Sequence, residues 1–262
     1  MDIQFIVVGW HYSYPEWING LIELNSQNEN IDVFWSCHRE PTDIVKENFN
    51  WKLFENIGLE EGAYTQALEY LDLDDETILF LVHDDLIIKD WNFISVCVNA
   101  LGKYKVLGNG INYPAMFDPQ KIERDKKNIE WVSADWRYLF KEPMMCKTIR
   151  SSFLVIKWKD LKRVGGFNPI WLSPDLDEDG NAINYGGIGN LGQTIVGYKF
   201  TKIFGENKIG YLKTELVKPI SPLYFNDKER TSALISICSL LNILLPEGQP
   251  NKKIYSSFEN LI

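Results

Sequence analysis

Three runs of β-branched and aromatic residues in the first third of the chain constrain the fold most strongly. They lie at residues 3–8, 31–36 and 77–82, and this composition is typical of buried strands. Between them, apolar residues recur at helical spacing, as at Ala67 and Leu71. Because strands that alternate with helices form parallel sheets, the sequence predicts an α/β fold with a mainly parallel, Rossmann-like sheet flanked by helices.

The alternation continues along the chain and ends in a longer apolar helix. Further strands are predicted at residues 104–108, 152–156, 199–204 and 209–217, and further helices at 94–101, 157–164 and 191–197. A last helix is expected from about Asp227 to Leu245, with an apolar run shorter than the ~20 residues that a membrane span needs. We therefore divide the chain into a main domain at residues 1–226 and a helical C-terminal extension at 227–262, packed on it.

Composition and charge exclude several classes of function. The chain has 36 acidic and 27 basic residues, for a formal net charge of −9, and this balance does not suit nucleic-acid binding, which needs a basic surface. The four cysteines show no CxxC spacing, so neither a zinc ribbon nor a disulfide framework is indicated. Residues 1–8 lack the basic and apolar segments of a secretion signal. These features predict a cytoplasmic protein without a transmembrane segment.

The strand at residues 77–82 ends in an acidic motif, His83-Asp84-Asp85. In open α/β sheets, ligands bind outside the carboxyl ends of the strands. Two adjacent carboxylates at such an edge suit a hard divalent cation that also binds a diphosphate. An acidic turn without any ligand is the alternative interpretation, since aspartate is common where strands end.

Four segments, taken in order, resemble a known family of enzymes. They are Val8-Gly9-Trp10-His11-Tyr12 after the first strand, Asn56-Ile57-Gly58 before a helix, His83-Asp84-Asp85, and the strand–helix–turn segment from Ser152 to Gly165-Gly166-Phe167. Their order over residues 3–204 is similar to that of the GT-A fold glycosyltransferases that use nucleotide-diphospho-sugars, in particular the family-2-like group. The resemblance implies a nucleotide-sugar-binding and catalytic domain at residues 1–226.

The resemblance also implies roles for particular residues. It places a Mn²⁺ or Mg²⁺ ion on Asp85, and contacts with the donor on Asp84 and His83. His83 stands where the family has the first aspartate of its motif. The family recognises the base and ribose with the ends of its first two strands, which correspond here to Val8, Trp10, His38 and Arg39.

An inverting transfer needs a general base to deprotonate the acceptor, and the resemblance places that base soon after Phe167. The nearest acids are Asp175 and Asp177, which we take as the catalytic candidates. The same segment, Asp175-x-Asp177-x-Asp179-Gly180, matches the start of a calcium-binding loop. The last position of such a loop should be Glu but is Gly186. A solvated acidic loop is the third interpretation.

The resemblance therefore predicts a metal-dependent glycosyltransferase that moves a sugar from a nucleotide diphosphate donor to an acceptor hydroxyl, with inversion. The implied partners are a UDP- or GDP-linked sugar and a sugar or glycoconjugate acceptor. Two alternatives stay open: a nucleotidyltransferase that uses the same sheet edge, and a non-catalytic binding domain. The oligomeric state is also left open, and a homo-oligomer is included among the alternatives.

Overall fold

Nine of the strands that the structure describes form a mixed sheet at the centre of the molecule. The structure is a computed structural model, and it describes residues 2–12, 15–56, 59–84, 86–88, 90–109, 114–117, 129–131, 144–147, 149–167, 170–172, 175–176, 182–183, 196–219 and 238–240. The strands are β1 (Ile3–Gly9), β2 (Ile31–Cys37), β3 (Asn50–Leu53), β4 (Ile78–His83), β5 (Leu86–Ile88), β6 (Val106–Asn109), β7 (Pro114–Phe117), β8 (Ile129–Trp131), β9 (Met144–Lys147), β10 (Arg150–Lys157), β11 (Ile170–Leu172), β12 (Asp175–Leu176), β13 (Ala182–Ile183), β14 (Ile209–Pro219) and β15 (Cys238–Leu240).

The strand order in the central sheet is β3-β2-β1-β4-β10-β6-β14-β15, and β5 pairs separately with β14. Strand β10 runs antiparallel to both of its neighbours, and β5 and β15 run antiparallel to β14. The remaining pairs are parallel. This arrangement confirms the predicted α/β class with a mainly parallel sheet. Three small two-stranded sheets, β7 with β9, β8 with β11 and β12 with β13, lie outside it.

The order of the strands creates a switch point between β1 and β4. From β1 the chain proceeds outward to β2 and β3, and it then returns to place β4 on the other side of β1. The connections on the two sides therefore diverge at the carboxyl ends of β1 and β4, which is where open α/β sheets bind ligands. The register aligns Val8 with both Ser36 and His83, so the segments that follow the three strands begin at one edge.

Helices cover both faces of the sheet. They are α1 (Pro15–Gln27), α2 (Asp43–Asn48), α3 (Leu59–Tyr70), α4 (Phe93–Ala100), α5 (Trp158–Arg163) and α6 (196–204). One apolar cluster joins α1 and α4 to the sheet through Phe5 and Val7, and a second joins α3, α5 and α6 through Ile6 and Val8. Because alternate residues of β1 enter opposite clusters, this strand is buried on both faces, as central parallel strands are.

Two segments differ from the sequence predictions. The sequence analysis predicts a strand at residues 199–204, but these residues lie in α6. There Phe200 stacks on Phe204, and Gly205 ends the helix with a φ of 82°, which favours glycine. The predicted C-terminal helix is also wrong over Cys238–Leu240, which pairs antiparallel with β14. Short apolar runs fit either element, and the edge of β14 supplies the hydrogen-bond partners of a strand. The rest of the extension lies outside the described residues and stays a prediction.

The sequence predicts no transmembrane segment, and the described helices can be compared with this prediction. None of them is both long enough and apolar enough to cross a bilayer.

The aromatic packing around Phe80 provides a test of the core. The Phe80 ring stacks on Phe5 at 4.6 Å between centroids and meets Phe93 and Phe153 edge to face. Phe80→Ala should lower the free energy of unfolding by about 3–5 kcal/mol, because it leaves a cavity between rings that cannot collapse. Urea denaturation measures the change. Ile203→Ala, at a side chain that is 37% exposed, is the control, and an equal loss in the two variants would contradict the assignment of Phe80 to the core.

Candidate functional site

The carboxylate of Asp84 holds the loop that follows β1. Its Oδ2 accepts hydrogen bonds from the backbone N–H groups of Trp10, His11 and Tyr12, at 2.9, 2.6 and 2.8 Å. The Asp84 side chain is only 2% exposed. Successive backbone N–H groups that converge on one anion form a nest, and hydrogen bonds to a charged acceptor are stronger than neutral ones. Asp84 therefore fixes the conformation of this loop.

The loop is also held by Tyr12, which folds back over the end of β1. Tyr12 has a φ of 51°, and a Cβ atom on Gly9 would lie 2.4 Å from the Tyr12 hydroxyl. Only glycine at position 9 leaves room for this ring. The Tyr12 hydroxyl donates to the carbonyl oxygen of Arg39 at 2.9 Å, and its ring stacks on Trp35. The loops after β1 and β2 are thereby joined.

Tyr12 and Cys37 stay protonated at neutral pH. Burial raises the pKa of the Tyr12 phenol above its ordinary value, and burial likewise raises the pKa of the Cys37 thiol to about 12. The thiolate is the nucleophilic form of cysteine. The structure therefore argues against a catalytic role for Cys37, although it lies at the end of β2.

Trp10 and Arg39 form a cation–π pair at the switch point. The Arg39 guanidinium carbon lies 4.0 Å from the centroid of the Trp10 ring, within the distance of a cation–π interaction. Arg39 is exposed and Trp10 is half-buried. The guanidinium carries five N–H donors in a planar arrangement. The pair therefore presents a positive charge and hydrogen-bond donors beside the carboxyl ends of β1 and β2.

His38 lies at the same edge and is held from two sides. Its backbone N–H donates to the carbonyl oxygen of Gly9 at 3.0 Å, and its Nε2 lies 3.4 Å from Oε1 of Gln66. Burial lowers the pKa of His38, and this effect outweighs the opposing influences of Gln66 and Glu60. The imidazole is therefore neutral at neutral pH.

The turn that precedes the predicted acidic segment is held by a buried lysine. Gly165 and Gly166 have φ values of 78° and 65°, and their carbonyl oxygens accept hydrogen bonds from Nζ of Lys199 in α6. Burial lowers the pKa of Lys199 to about 8. Phe167 follows and packs on Tyr64 of α3. The position at which the chain enters the next segment is thus fixed against the main sheet.

The structure brings together most of the predicted donor-binding residues. Trp10, His38, Arg39 and Asp84 lie at the carboxyl ends of β1, β2 and β4. Val8 differs, because its side chain packs in the apolar cluster below α3 and its carbonyl oxygen accepts a hydrogen bond from the Asp84 N–H. His83 ends β4 opposite Val8 and is half-buried. The donor contacts predicted for all six residues stay predictions.

The predicted metal ligand and general base are only partly described. Asp85 and Asp177 lie outside the described residues. Asp175 begins β12 and pairs with Ile183 of β13, which runs antiparallel to it. The calcium-loop interpretation places residues 175–186 in a loop that follows a helix. The described residues before this range form strand β11, and strands β12 and β13 lie within it. The catalytic role of either acid stays a prediction.

The described residues show how far this part of the chain could bind a divalent cation. They include no group of three or more His, Cys, Asp or Glu side chains that could hold a metal ion. Three N–H donors already use Oδ2 of Asp84, so this oxygen does not fit as a metal ligand. A cation on this edge would therefore need at least one ligand outside the described residues, such as Asp85.

Sequence reasoning missed three residues that shape the site. In the sequence, Tyr12 is only one member of a motif, and Gly9 and Gln66 carry no predicted role. A glycine followed by an aromatic residue at a strand end could have indicated a ring folded over the backbone. The pairing of His38 with Gln66 spans 28 residues and carries no local pattern, so only the packing of α3 on β2 reveals it.

Comparison with known proteins yields similarity of structure only. No known protein family and no curated protein sequence matches this chain. Among solved structures, it is similar to the galactosyltransferase LgtC in complex with donor and acceptor sugar analogues, with 13% identity and a TM-score of 0.40 over 92% of this chain and 98% of that one. It is also similar to the apo form of the glycosyltransferase GlyE from Streptococcus pneumoniae, with 14% identity and a TM-score of 0.34 over 78% of this chain. This chain covers 44% of the GlyE chain.

The role of Asp84 can be tested by removing its charge. Asp84→Asn should lower the free energy of unfolding by about 1–3 kcal/mol, because the amide replaces a charged acceptor of three N–H groups. The Trp10 side chain should also become more accessible to quenchers of tryptophan fluorescence. Asp74→Asn is the matched control, since the exposed Asp74 accepts a single backbone hydrogen bond from Glu76. Equal stability of the two variants would show that Asp84 does not anchor the loop.

Proposed function

We propose that this chain is a glycosyltransferase that moves a sugar from a nucleotide diphosphate donor to an acceptor hydroxyl, with inversion. The observation that carries the proposal is the Trp10–Arg39 pair at the switch point between β1 and β4. The pair combines a ring and a fixed cation at the edge where open α/β sheets take nucleotide ligands. Asp84 supports it by holding the backbone of Trp10 in place.

Binding of the donor would use the two parts of the pair differently. An aromatic ring offers a stacking surface for a base or ribose, while a guanidinium matches the geometry of phosphate oxygens. The chain as a whole is acidic, with a net charge of −9, so a diphosphate would be attracted only where a positive group is locally presented. Arg39 is such a group, and its exposure leaves it accessible to the ligand.

The backbone amides of residues 10–12 have a different role from the amides of phosphate-binding loops. Successive backbone amides in such loops often bind the oxygens of a ligand. Here the three amides already donate to Asp84. The donor's phosphates would therefore contact side chains, with Arg39 as the first candidate. UDP- and GDP-linked sugars are the donors that we propose, with a sugar or glycoconjugate as acceptor.

Transfer with inversion requires one carboxylate to take the proton of the acceptor hydroxyl as the bond to the sugar forms. We assign this role to Asp177 or Asp175, which follow the turn held by Lys199. The other product is the nucleoside diphosphate. A Mn²⁺ or Mg²⁺ ion on Asp85 would stabilise the negative charge of that leaving group.

The Oδ2 atom of Asp84 is bonded to the protein's own backbone. This arrangement also favours one alternative, a non-catalytic binding domain. Such a domain would keep the Trp10–Arg39 pair and its support, and it would bind nucleotides without turnover. Release of UDP from UDP-sugars, with and without an acceptor, separates the two functions. Binding without any release would establish the alternative.

The donor site can be tested by calorimetric titration with UDP and GDP, with and without Mn²⁺. Arg39→Gln should weaken binding by roughly 10- to 100-fold, since a hydrogen bond to a charged group contributes about 1.5–3 kcal/mol. Asp85→Asn should abolish any gain in affinity from Mn²⁺ and leave the fold intact. Lys52→Gln is the matched control, because Lys52 also lies over an aromatic ring, that of Tyr70. Equal affinity of Arg39→Gln and the parent would contradict the proposed donor site.

The general base can be tested by transfer assays on single variants. Asp177→Asn or Asp175→Asn should lower turnover by roughly 10²–10⁴-fold, the usual contribution of general base catalysis. Affinity for the donor should change little, because the base contacts the acceptor. Glu178→Gln in the same segment is the control. If both aspartate variants transfer sugar at the parental rate, the base lies elsewhere in the chain.

A further inference from the structure

A chain of three groups fixes the side chain of His38. The side-chain Nε2 of Gln66 donates to the carbonyl oxygen of Glu55 at 3.1 Å, and Oε1 of the same amide faces Nε2 of His38 at 3.4 Å. A carbonyl oxygen only accepts hydrogen bonds, so the NH₂ end of the amide must face Glu55. The oxygen end must therefore face His38.

This orientation decides which nitrogen of His38 carries the proton. An amide oxygen cannot donate, so Nε2 must be the protonated nitrogen. Burial keeps the imidazole neutral, and a neutral imidazole has one N–H group and one acceptor nitrogen. The acceptor is then Nδ1. Within the described part of the chain, Nδ1 of His38 has no hydrogen-bond partner. It is also not one of the buried polar atoms that lack a partner.

We propose that Gln66 is a positioning residue that holds His38 as the Nε2–H tautomer, so that Nδ1 accepts a hydrogen bond from an O–H or ring N–H group of the bound nucleoside. The inference rests on the proposed function, because it supplies the nucleoside. His38 is well placed for this contact, since its backbone is bonded to Gly9 beside Trp10. The donor site would therefore favour nucleosides that offer a hydrogen-bond donor at this point over those that offer only acceptors.

The tautomer is tested without any ligand. The chain has three histidines, His11, His38 and His83, so ¹⁵N NMR can resolve the side-chain nitrogens, and His38→Asn assigns the peak. At about pH 8, well above the ordinary pKa of histidine, Nε2 should show the shift of a protonated nitrogen and Nδ1 that of an unprotonated one. Gln66→Leu should produce a mixture, and Gln66→Glu, which keeps an acceptor oxygen, should restore the parental pattern. A protonated Nδ1 in the parent, or an unchanged pattern in Gln66→Leu, would overturn the proposal.

The contact with the nucleoside is tested by titration with UDP, 2′-deoxy-UDP and CDP. The second probe lacks a ribose hydroxyl and the third lacks the ring N–H of uracil, so they separate the two sources of the donor. One of them should bind the parent several-fold more weakly than UDP does, and Gln66→Leu should reduce that difference. Gln27→Leu is the control, since Gln27 is exposed and bonds only within α1.

The outcomes separate this inference from the proposed function. If the parent prefers UDP over one probe and Gln66→Leu keeps the whole preference, the contact through His38 is wrong while nucleotide binding stands. If neither UDP nor GDP binds the parent, the proposed function fails and the nucleoside contact fails with it. The NMR measurement decides the tautomer in either case.

Discussion

The buried carboxylate of Asp84 is the interaction on which the candidate site depends. Its Oδ2 receives three backbone N–H groups from the loop after β1. A buried charge is costly unless it is paired or hydrogen-bonded, and three successive amides supply that compensation here. The same contacts hold the backbone of Trp10, and Trp10 in turn supports Arg39. A single side chain that follows β4 thus organises residues that follow two other strands.

The strand order makes this arrangement available. Strand β1 lies between β2 and β4 in the sheet, so the segments that follow all three strands meet at one edge. Tyr12 bridges two of these segments by bonding to the Arg39 carbonyl, and it fits only because Gly9 has no side chain. The exposed side chain of Arg39 therefore lies on a segment whose backbone is bonded to the loop after β1.

The turn that precedes the candidate acids depends on a second buried charge, that of Lys199. The turn at Gly165 and Gly166 uses backbone conformations that favour glycine, and its carbonyl oxygens receive the ammonium group of Lys199. This contact joins α5 to α6 on one face of the sheet. The turn that precedes the segment with the candidate acids is therefore stabilised by a buried charge, as the loop after β1 is.

Much of the fold could be predicted from the sequence, because the determinants of its elements are local. The apolar runs at β1, β2 and β4 and the glycine stop after α5 appeared at the expected positions. Local patterns failed where two elements fit the same residues. Residues 199–204 were predicted as a strand, but residues 196–204 form helix α6, with Val196, Tyr198 and Phe200 buried.

The candidate site, like the fold, could be predicted from the sequence only in part. The sequence by itself determined that polar and aromatic residues follow the strands, since the periodicity of each segment shows where a buried strand ends. Only the tertiary structure decided what these residues do to one another. Asp84 lies 72–74 residues from the amides that it binds, and His38 lies 28 residues from Gln66. Such contacts depend on strand order and register, which arise from burial over the whole sheet and leave no trace in local spacing.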